Sequence, residues 1–252
     1  MSSGEAVRRR RPTPDADLTA LARIRLAAIE QFAARGFAHT TVRGIAERAG
    51  VSAALILHHF ASKDGLRAAC DEHVLQFVRE GKTAVFTTGT APRIAAYLEE
   101  NPEVRPLLDY MTRVLAEGGP TAQAMFERMV ADVRGYLAAG EAAGTVRPTA
   151  DEQARAVLNA AFSVTLLLLG PLVARELGGE QLLDQQVLTR YTTATYELYA
   201  HGLLTGKLAD FADRQLDELP PPAHREHHAA DTQRTPRAHH APLPQDNQEW
   251  GR

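Results

Sequence analysis

The chain has 252 residues, of which 44% are hydrophobic and 23% charged, as expected for a globular protein of one or two domains. The longest apolar run, residues 160–174, is shorter than the ~20 residues of a membrane span, so no membrane protein and no membrane partner is predicted. A single cysteine, Cys70, excludes an internal disulfide and favours a reducing, cytoplasmic location, and the basic amino end lacks the apolar segment of a secretory signal.

The net charge of −3 is distributed unevenly along the chain. Residues 1–63 hold ten basic and five acidic side chains, a net charge of +5, which leaves −8 for the remainder. Residues 1–16, with the run Arg8–Arg11, are expected to form a disordered basic arm. A basic amino-terminal part on an acidic body suits a protein that meets DNA phosphates with one end. The alternative is a solvated arm with no partner.

The first predicted helix is marked by apolar residues that recur every three or four positions: Leu18, Leu21, Ile24, Ala28 and Phe32. It is expected to end near Gly36. Its apolar face is expected to pack on the segment that follows.

That segment, from Thr40 to Lys63, carries local signals in a fixed register. Thr41 is a predicted N-cap of a short helix that Gly50 ends, and Ser52 is the N-cap of a second helix. Ser62 caps a third. Two short helices joined by a tight turn with glycine have the spacing of a helix-turn-helix. The alternative, an unrelated all-helical protein, requires three caps and a turn glycine to coincide by chance.

Residues 22–74, including AAIEQFAARGFAHTTVRGIAERAGVS and HHFASKDGL, resemble the amino-terminal DNA-binding domain of the TetR family of bacterial repressors. The chain departs from that family at Gly44, where an acidic residue is usual, and at Leu57, where a phosphate-contacting tyrosine is very frequent. Ala53 and Ala54 leave the second, DNA-reading helix with few polar side chains.

The resemblance implies DNA contacts residue by residue. Thr41, His58 and Lys63 are expected to contact phosphates. Arg43 is the best candidate for a bidentate guanine contact. Ser52, Ala53 and Ala54 are also expected to approach base edges, and Leu57 is expected on the same DNA-facing surface. Of the adjacent His58 and His59, one is expected to face DNA and the other the core.

Leu66, Cys70, Val74 and Phe77 predict a fourth helix, Lys63 to Glu80, in which Cys70 is a buried small hydrophobe rather than a redox sensor. Beyond Lys82, threonine, glycine and proline are expected to interrupt any helix. The fourth helix would then alone join a DNA-binding domain, residues 17–62, to a helical regulatory and dimerisation domain, residues 63–216.

Helical periodicity resumes in the second half, and no alternating strand pattern occurs, so the chain is predicted to be all-α. Short helices are predicted at residues 93–100 and from Val104 to Val114, and a longer one from Ala122 to Tyr136. Residues 151–177 and 181–204 are long and apolar on more than one face, with residues 160–174 expected as a buried helix. A homodimer would cover the second apolar face, as the resemblance also implies. The alternative is a central helix of a monomer.

The predicted function is a dimeric transcriptional repressor, released from a pseudo-palindromic operator by a small apolar ligand. No catalytic motif, cofactor site or metal site is predicted. A ligand-independent DNA-binding protein is the main alternative, and a helical enzyme is a remote one. Candidate ligand-binding residues, each of which could instead be simple core, are Met111, Leu115, Met125, Phe126, Met129 and Phe162.

Residues 217–252 form a Pro-rich tail with five of the ten histidines, expected to be disordered. The clustered histidines give only a weak indication of transition-metal binding, because they have no fixed helical spacing.

Overall fold

The computed structural model describes residues 14–90, 94–203, 205–208 and 210. The basic run Arg8–Arg11 and the His-rich tail lie outside the described residues. Helices and loops account for the described part of the chain, in which no strand occurs, so the all-α prediction is confirmed. Contacts between residues divide the chain into two units, residues 1–204 and 205–252, and the helices named below belong to the first.

The first three helices form the predicted helix-turn-helix region. Helix α1 is Pro14–His39, α2 is Val42–Ala49 and α3 is Ala53–Phe60. Helix α1 buries Ile24, Ala28 and Phe32 as predicted. Its helical geometry breaks at Gly36 (φ 75°, ψ 164°), where an end was expected, and one further turn reaches His39.

Helix α4, Lys63–Thr88, buries Leu66, Cys70 and Val74 as predicted but does not end near Lys82. It continues to a left-handed C-cap at Gly89 (φ 66°). The threonines of this segment are compatible with a helix because their hydroxyls bond back to the preceding turn. Thr88 Oγ1 donates to the Ala84 carbonyl at 2.7 Å, and Thr87 Oγ1 to the Thr83 carbonyl at 2.8 Å.

Helices α5 (Ile94–Glu100), α6 (Val104–Glu117) and α7 (Gly119–Ala142) follow the predicted pattern. Helix α1 packs extensively along α6. The rings of Phe32 and Tyr110 lie 6.3 Å apart in that contact. The expectation that α4 alone joins the helix-turn-helix region to the later helices is therefore wrong, because the apolar face of α1 also packs on α6.

The last three helices are α8 (Glu152–Leu168), α9 (Gly170–Glu176) and α10 (Gln185–His201). The segment expected as one helix from Asp151 to Leu177 bends by 79° at Leu169. Pro171 lies in the first turn of α9, where its missing N–H costs no hydrogen bond. Among the described residues, no single helix is long and apolar enough to cross a membrane, and only the bent α8–α9 pair meets those criteria jointly.

One hydrophobic core extends through the first unit. It joins Ile24 of α1, Ile45 of α2 and Leu66 of α4 to Tyr110 of α6 and Ala160 of α8, all of which are almost completely buried. The predicted domain boundary between residues 62 and 63 thus lies within a continuous core. Packed side chains therefore connect α6 and α8 with the helix-turn-helix.

Candidate nucleic-acid interface and effector site

The geometry of the α2–α3 turn is determined by its backbone hydrogen bonds and caps. Thr41 Oγ1 accepts a hydrogen bond from the Gly44 N–H at 3.1 Å, and Ser52 Oγ accepts one from the Leu55 N–H at 3.1 Å. Gly50 adopts a left-handed conformation (φ 65°), and the Val51 N–H donates to the Ala46 carbonyl at 3.0 Å. The two helices are therefore held in a fixed mutual orientation.

Helix α3 has one buried side, which is anchored by Ile56 at 0% exposure. Ala54, Leu57 and His58 are exposed on α3, and their spacing of three and four residues places them on one side of the helix. Leu57 is 47% exposed, although it is a large apolar residue. Ser52 is also exposed and Ala53 is half-buried. Apart from Ser52 and His58, the side chains of this surface are apolar, and most of them are accessible to a partner.

Arg43 lies in the first turn of α2 with its side chain 87% exposed. Its Nε is 3.1 Å from Oε1 of Glu47, one helical turn further on. Exposed pairs of this kind contribute little to stability, roughly 0.3–0.5 kcal/mol. The guanidinium is therefore available to a partner that replaces Glu47.

Lys63 occupies a different place from the one expected for a phosphate contact. Its Nζ donates hydrogen bonds to the carbonyls of Phe37 at 2.9 Å and Thr40 at 3.0 Å, and it lies 4.2 Å from the centroid of the Phe37 ring. Two of the three donors of the ammonium group are thus used to cap the end of α1. His59 is half-buried whereas His58 is exposed, as the sequence suggested for this pair.

A cavity of about 240 Å³ lies between α4, α5, α6, α7 and α8, and residues 182, 183 and 188, before and within α10, complete its wall. Its wall is mostly apolar, with Leu75 and Val78 from α4, Leu108 and Met111 from α6, and Met129 from α7 among its residues. A concave, mainly apolar site with a few polar groups is the usual form of a small-molecule binding site, and this volume is near the lower limit.

Of the six predicted ligand-binding residues, Met111 and Met129 line this cavity. Met125 is buried in the core, while Leu115 and Phe126 are partly buried against it. Met125, Leu115 and Phe126 lie on sides of α6 and α7 that do not line the cavity, because each of these helices is buried on more than one side. Phe162 is 44% exposed and lines a groove between α8, α9 and α10 instead.

The sequence analysis missed the charged residues of the cavity, which are Arg79, Lys82 and Asp132. Arg79 Nη1 is 2.9 Å from Asp132 Oδ1, and Arg79 also pairs with Glu72 at 3.7 Å. Lys82 is exposed, and desolvation by the protein around it lowers its pKa. The signal was present in the sequence, because Lys82 continues the inward-facing spacing of Leu75 and Val78 on α4.

Large apolar side chains remain uncovered on α8, α9 and α10. They include Leu158 (52% exposed), Phe162, Leu172, Tyr196 and Tyr199. The sequence predicts that residues 160–174 form a buried helix. In the single chain this prediction is wrong, because Phe162 and Leu172 are exposed. Large exposed apolar residues on three successive helices are typical of an interaction surface.

No cluster of three or more His, Cys, Asp or Glu side chains that could hold a metal ion occurs in the described part of the chain. Cys70 is buried, and burial raises the pKa of its thiol to about 12. A thiol in this environment is poorly reactive.

Two family models match the sequence. The model described as "Bacterial regulatory proteins, tetR family" matches residues 24–70, and "Tetracyclin repressor-like, C-terminal domain" matches residues 102–205. The HTH-type transcriptional regulatory protein RaaS of Mycobacterium tuberculosis is 46% identical over 141 residues. The match covers 56% of this chain and 66% of that protein, just under two thirds of its length.

Two solved structures share the fold. A TetR-family regulator from a Rhodococcus species has a TM-score of 0.52 at 20% identity, covering 69% of this chain and 98% of that one. The transcriptional regulator FadR from Bacillus subtilis, in complex with stearoyl-CoA, has a TM-score of 0.53 at 15% identity, covering 73% of this chain and 99% of that one. At these identities the likeness concerns the fold alone.

Proposed function

The chain belongs to the TetR family of bacterial regulatory proteins, and from this premise we propose that it is a cytoplasmic, homodimeric transcriptional repressor. A small ligand in the cavity between α4, α6, α7 and α8 would release it from its operator. The observation that carries the proposal is the α2–α3 surface, on which Arg43, Ala54, Leu57 and His58 are exposed and behind which both helices begin at capped residues.

The proposed DNA contacts follow from this surface. Arg43 exchanges Glu47 for a guanine edge, and Leu57 contacts a thymine methyl group. Thr41 and His58, both exposed, are proposed as phosphate contacts. Lys63 retains one free donor and is a weaker candidate than the sequence suggested. Ser52, Ala53 and Ala54 lie at the start of α3, the end of a recognition helix that approaches bases.

The proposed dimer uses the exposed apolar side chains of α8, α9 and α10. Burying them against a second copy removes from water the large hydrophobic residues that the single chain leaves uncovered. A twofold axis through this surface would present two α3 helices to two half-sites about 34 Å apart, or a multiple of that distance.

The proposed effector acts through two routes rather than one. The cavity wall includes α4, which follows α3 directly, and α6, which packs on α1. A ligand that separates α6 from α4 would therefore shift both neighbours of the helix-turn-helix. If the ligand prefers the conformation that cannot bind DNA, it lowers DNA affinity by the same coupling factor.

The test is selection of genomic fragments by the full chain, followed by a metabolite screen for release. We expect enrichment of a pseudo-palindrome and at least one metabolite that weakens binding. Absence of a palindromic site would contradict the repressor proposal. A site that no small molecule affects would support a ligand-independent DNA-binding protein.

A further inference from the structure

The cavity contains more positive than negative charge. Its charged lining residues are Arg79, Lys82 and Asp132, which leaves one cation in excess. The Arg79 guanidinium is already neutralised by Asp132 at 2.9 Å and by Glu72 at 3.7 Å. The excess charge is therefore that of Lys82.

Lys82 has no counter-charge within the part of the chain that the structure describes. No hydrogen bond or ion pair joins it to any residue there, whereas Arg79, on the preceding turn of α4, has two acidic partners. Lys82 is an exposed residue that also lines the cavity. The surrounding protein nevertheless lowers its pKa through desolvation, with no compensating carboxylate. An ammonium group in this position is stabilised by an anion that enters the cavity.

The rest of the wall determines what the remainder of that anion must be. Val78 and Leu75 lie about one and two turns before Lys82 on α4, and Met111 and Met129 face them from α6 and α7. Tyr97 adds a hydroxyl near Gly81, and burial raises the pKa of that phenol, so that it remains a hydrogen-bond donor. A volume of about 240 Å³ admits a small molecule but no large conjugate.

We propose that the effector is a small amphipathic carboxylic acid, whose carboxylate pairs with Lys82 while its apolar body lies against α6 and α7. This inference rests on the proposed function only in calling the ligand an effector. The sequence suggested a purely apolar ligand; the proposed ligand is instead an anion with an apolar body. Binding of the acid places its charge on α4, one of the two helices that lead to the DNA-binding surface.

The test is isothermal titration of the full chain, without DNA, with octanoate and with octan-1-ol. These probes share a chain length and differ in the charged group. We expect octanoate to bind about tenfold more tightly, the size of one net charge-assisted hydrogen bond. Lys82→Met should abolish the preference, and Lys82→Arg should retain it. Arg134→Met, which removes a cation from the exposed face of α7, is the matched control and should leave the preference unchanged.

Equal affinities for the two probes in the unmodified chain would overturn the proposal, as would an octanoate preference that survives Lys82→Met, or no octanoate binding at millimolar concentration. Because this titration contains no DNA, its result is separate from the operator selection. Lys82-dependent octanoate binding without an enriched operator would support the anion site and contradict the repressor. An operator without octanoate binding would do the reverse.

Discussion

The hydroxyl of Tyr110 donates a hydrogen bond to the carboxylate of Asp71 at 2.6 Å and thereby joins α6 to α4. Tyr110 is 1% exposed, and its ring also faces Phe32 of α1. Its neighbour Met111 lines the cavity. Tyr110 of α6 thus contacts both α4 and α1, the two helices that adjoin the proposed DNA-binding surface.

Stability should decrease steeply in alkali because of this buried cluster. Burial raises the pKa of Tyr110, with the nearby Asp71 charge adding to the shift, and burial also raises the pKa values of Tyr136 and Cys70. These groups keep their protons in the folded state at pH values where the unfolded chain releases them. The stabilisation from each group is therefore complete below its unfolded-state pKa, about 8.5 for cysteine and about 10 for tyrosine, and above that value it is lost at about 1.4 kcal/mol per pH unit.

Urea unfolding between pH 7 and 11 measures this loss. Tyr110→Phe removes one titrating group, so its stability should fall less steeply above pH ~10 than that of the unmodified chain. At pH 7 the same variant should be less stable by roughly 1–3 kcal/mol, because Asp71 loses its buried partner. Parallel alkaline slopes for the two proteins would contradict this assignment.

Gly65, in the first turn of α4, should not tolerate a side chain. A Cβ atom there would lie 2.1 Å from the carbonyl oxygen of Phe60, the last residue of α3. Gly65→Ala must displace α3 and should lower the free energy of unfolding by about 1–3 kcal/mol. It should also weaken DNA binding.

Gly135→Ala is the matched control for that substitution, since a Cβ on this exposed α7 residue would meet nothing within 4 Å. It should raise the free energy of unfolding by about 0.5–1 kcal/mol, because alanine loses less backbone entropy in a helix. Chemical denaturation of both variants makes the comparison. Equal effects would show that the α3–α4 junction is not tightly packed.

Removing Glu47 should strengthen DNA binding. Its carboxylate pairs with Arg43 on the proposed interface and repels phosphates. Glu47→Ala should raise affinity for any DNA by roughly two- to tenfold at low salt. Fluorescence anisotropy with unrelated duplexes measures this change. Glu127→Ala, at an exposed position of α7, removes the same charge far from the proposed interface and should have a smaller effect. If Glu47→Ala bound DNA more weakly than the unmodified chain, the Glu47 carboxylate would not lie near the DNA phosphates.

The apolar surface of α8–α10 predicts dimers that one charge disrupts. Leu158→Glu buries a carboxylate at the proposed interface and should raise the dimer dissociation constant by more than about tenfold. Leu26→Glu, at an exposed leucine of α1, should leave it unchanged. Sedimentation velocity distinguishes the species. Dimers that persist in Leu158→Glu would place the interface elsewhere.

Local signals explain what the sequence predicted well. The caps at Thr41, Ser52 and Ser62 act over three residues, and each accepts the hydrogen bond that its position suggested. The prediction that helix α4 ends by Lys82 was wrong, because the hydroxyls of Thr87 and Thr88 donate hydrogen bonds to carbonyls of the preceding turn and so fit within a helix. The positions of Lys63 and of the cavity residues depend on contacts between segments that are distant in the sequence. One example is the hydrogen bond from Lys63 to the Phe37 carbonyl, which periodicity within one helix does not encode.

The central claim is that the α2–α3 surface reads DNA, and binding of Arg43→Ala to a set of base-substituted operators tests it most directly. The free energy of binding of the unmodified chain should show a strong preference at one position in each half-site. In Arg43→Ala that preference should fall by about 1–3 kcal/mol, while preferences at the other positions remain. A uniform loss at every sequence would reduce Arg43 to a phosphate contact, and an unchanged profile would contradict the proposed interface.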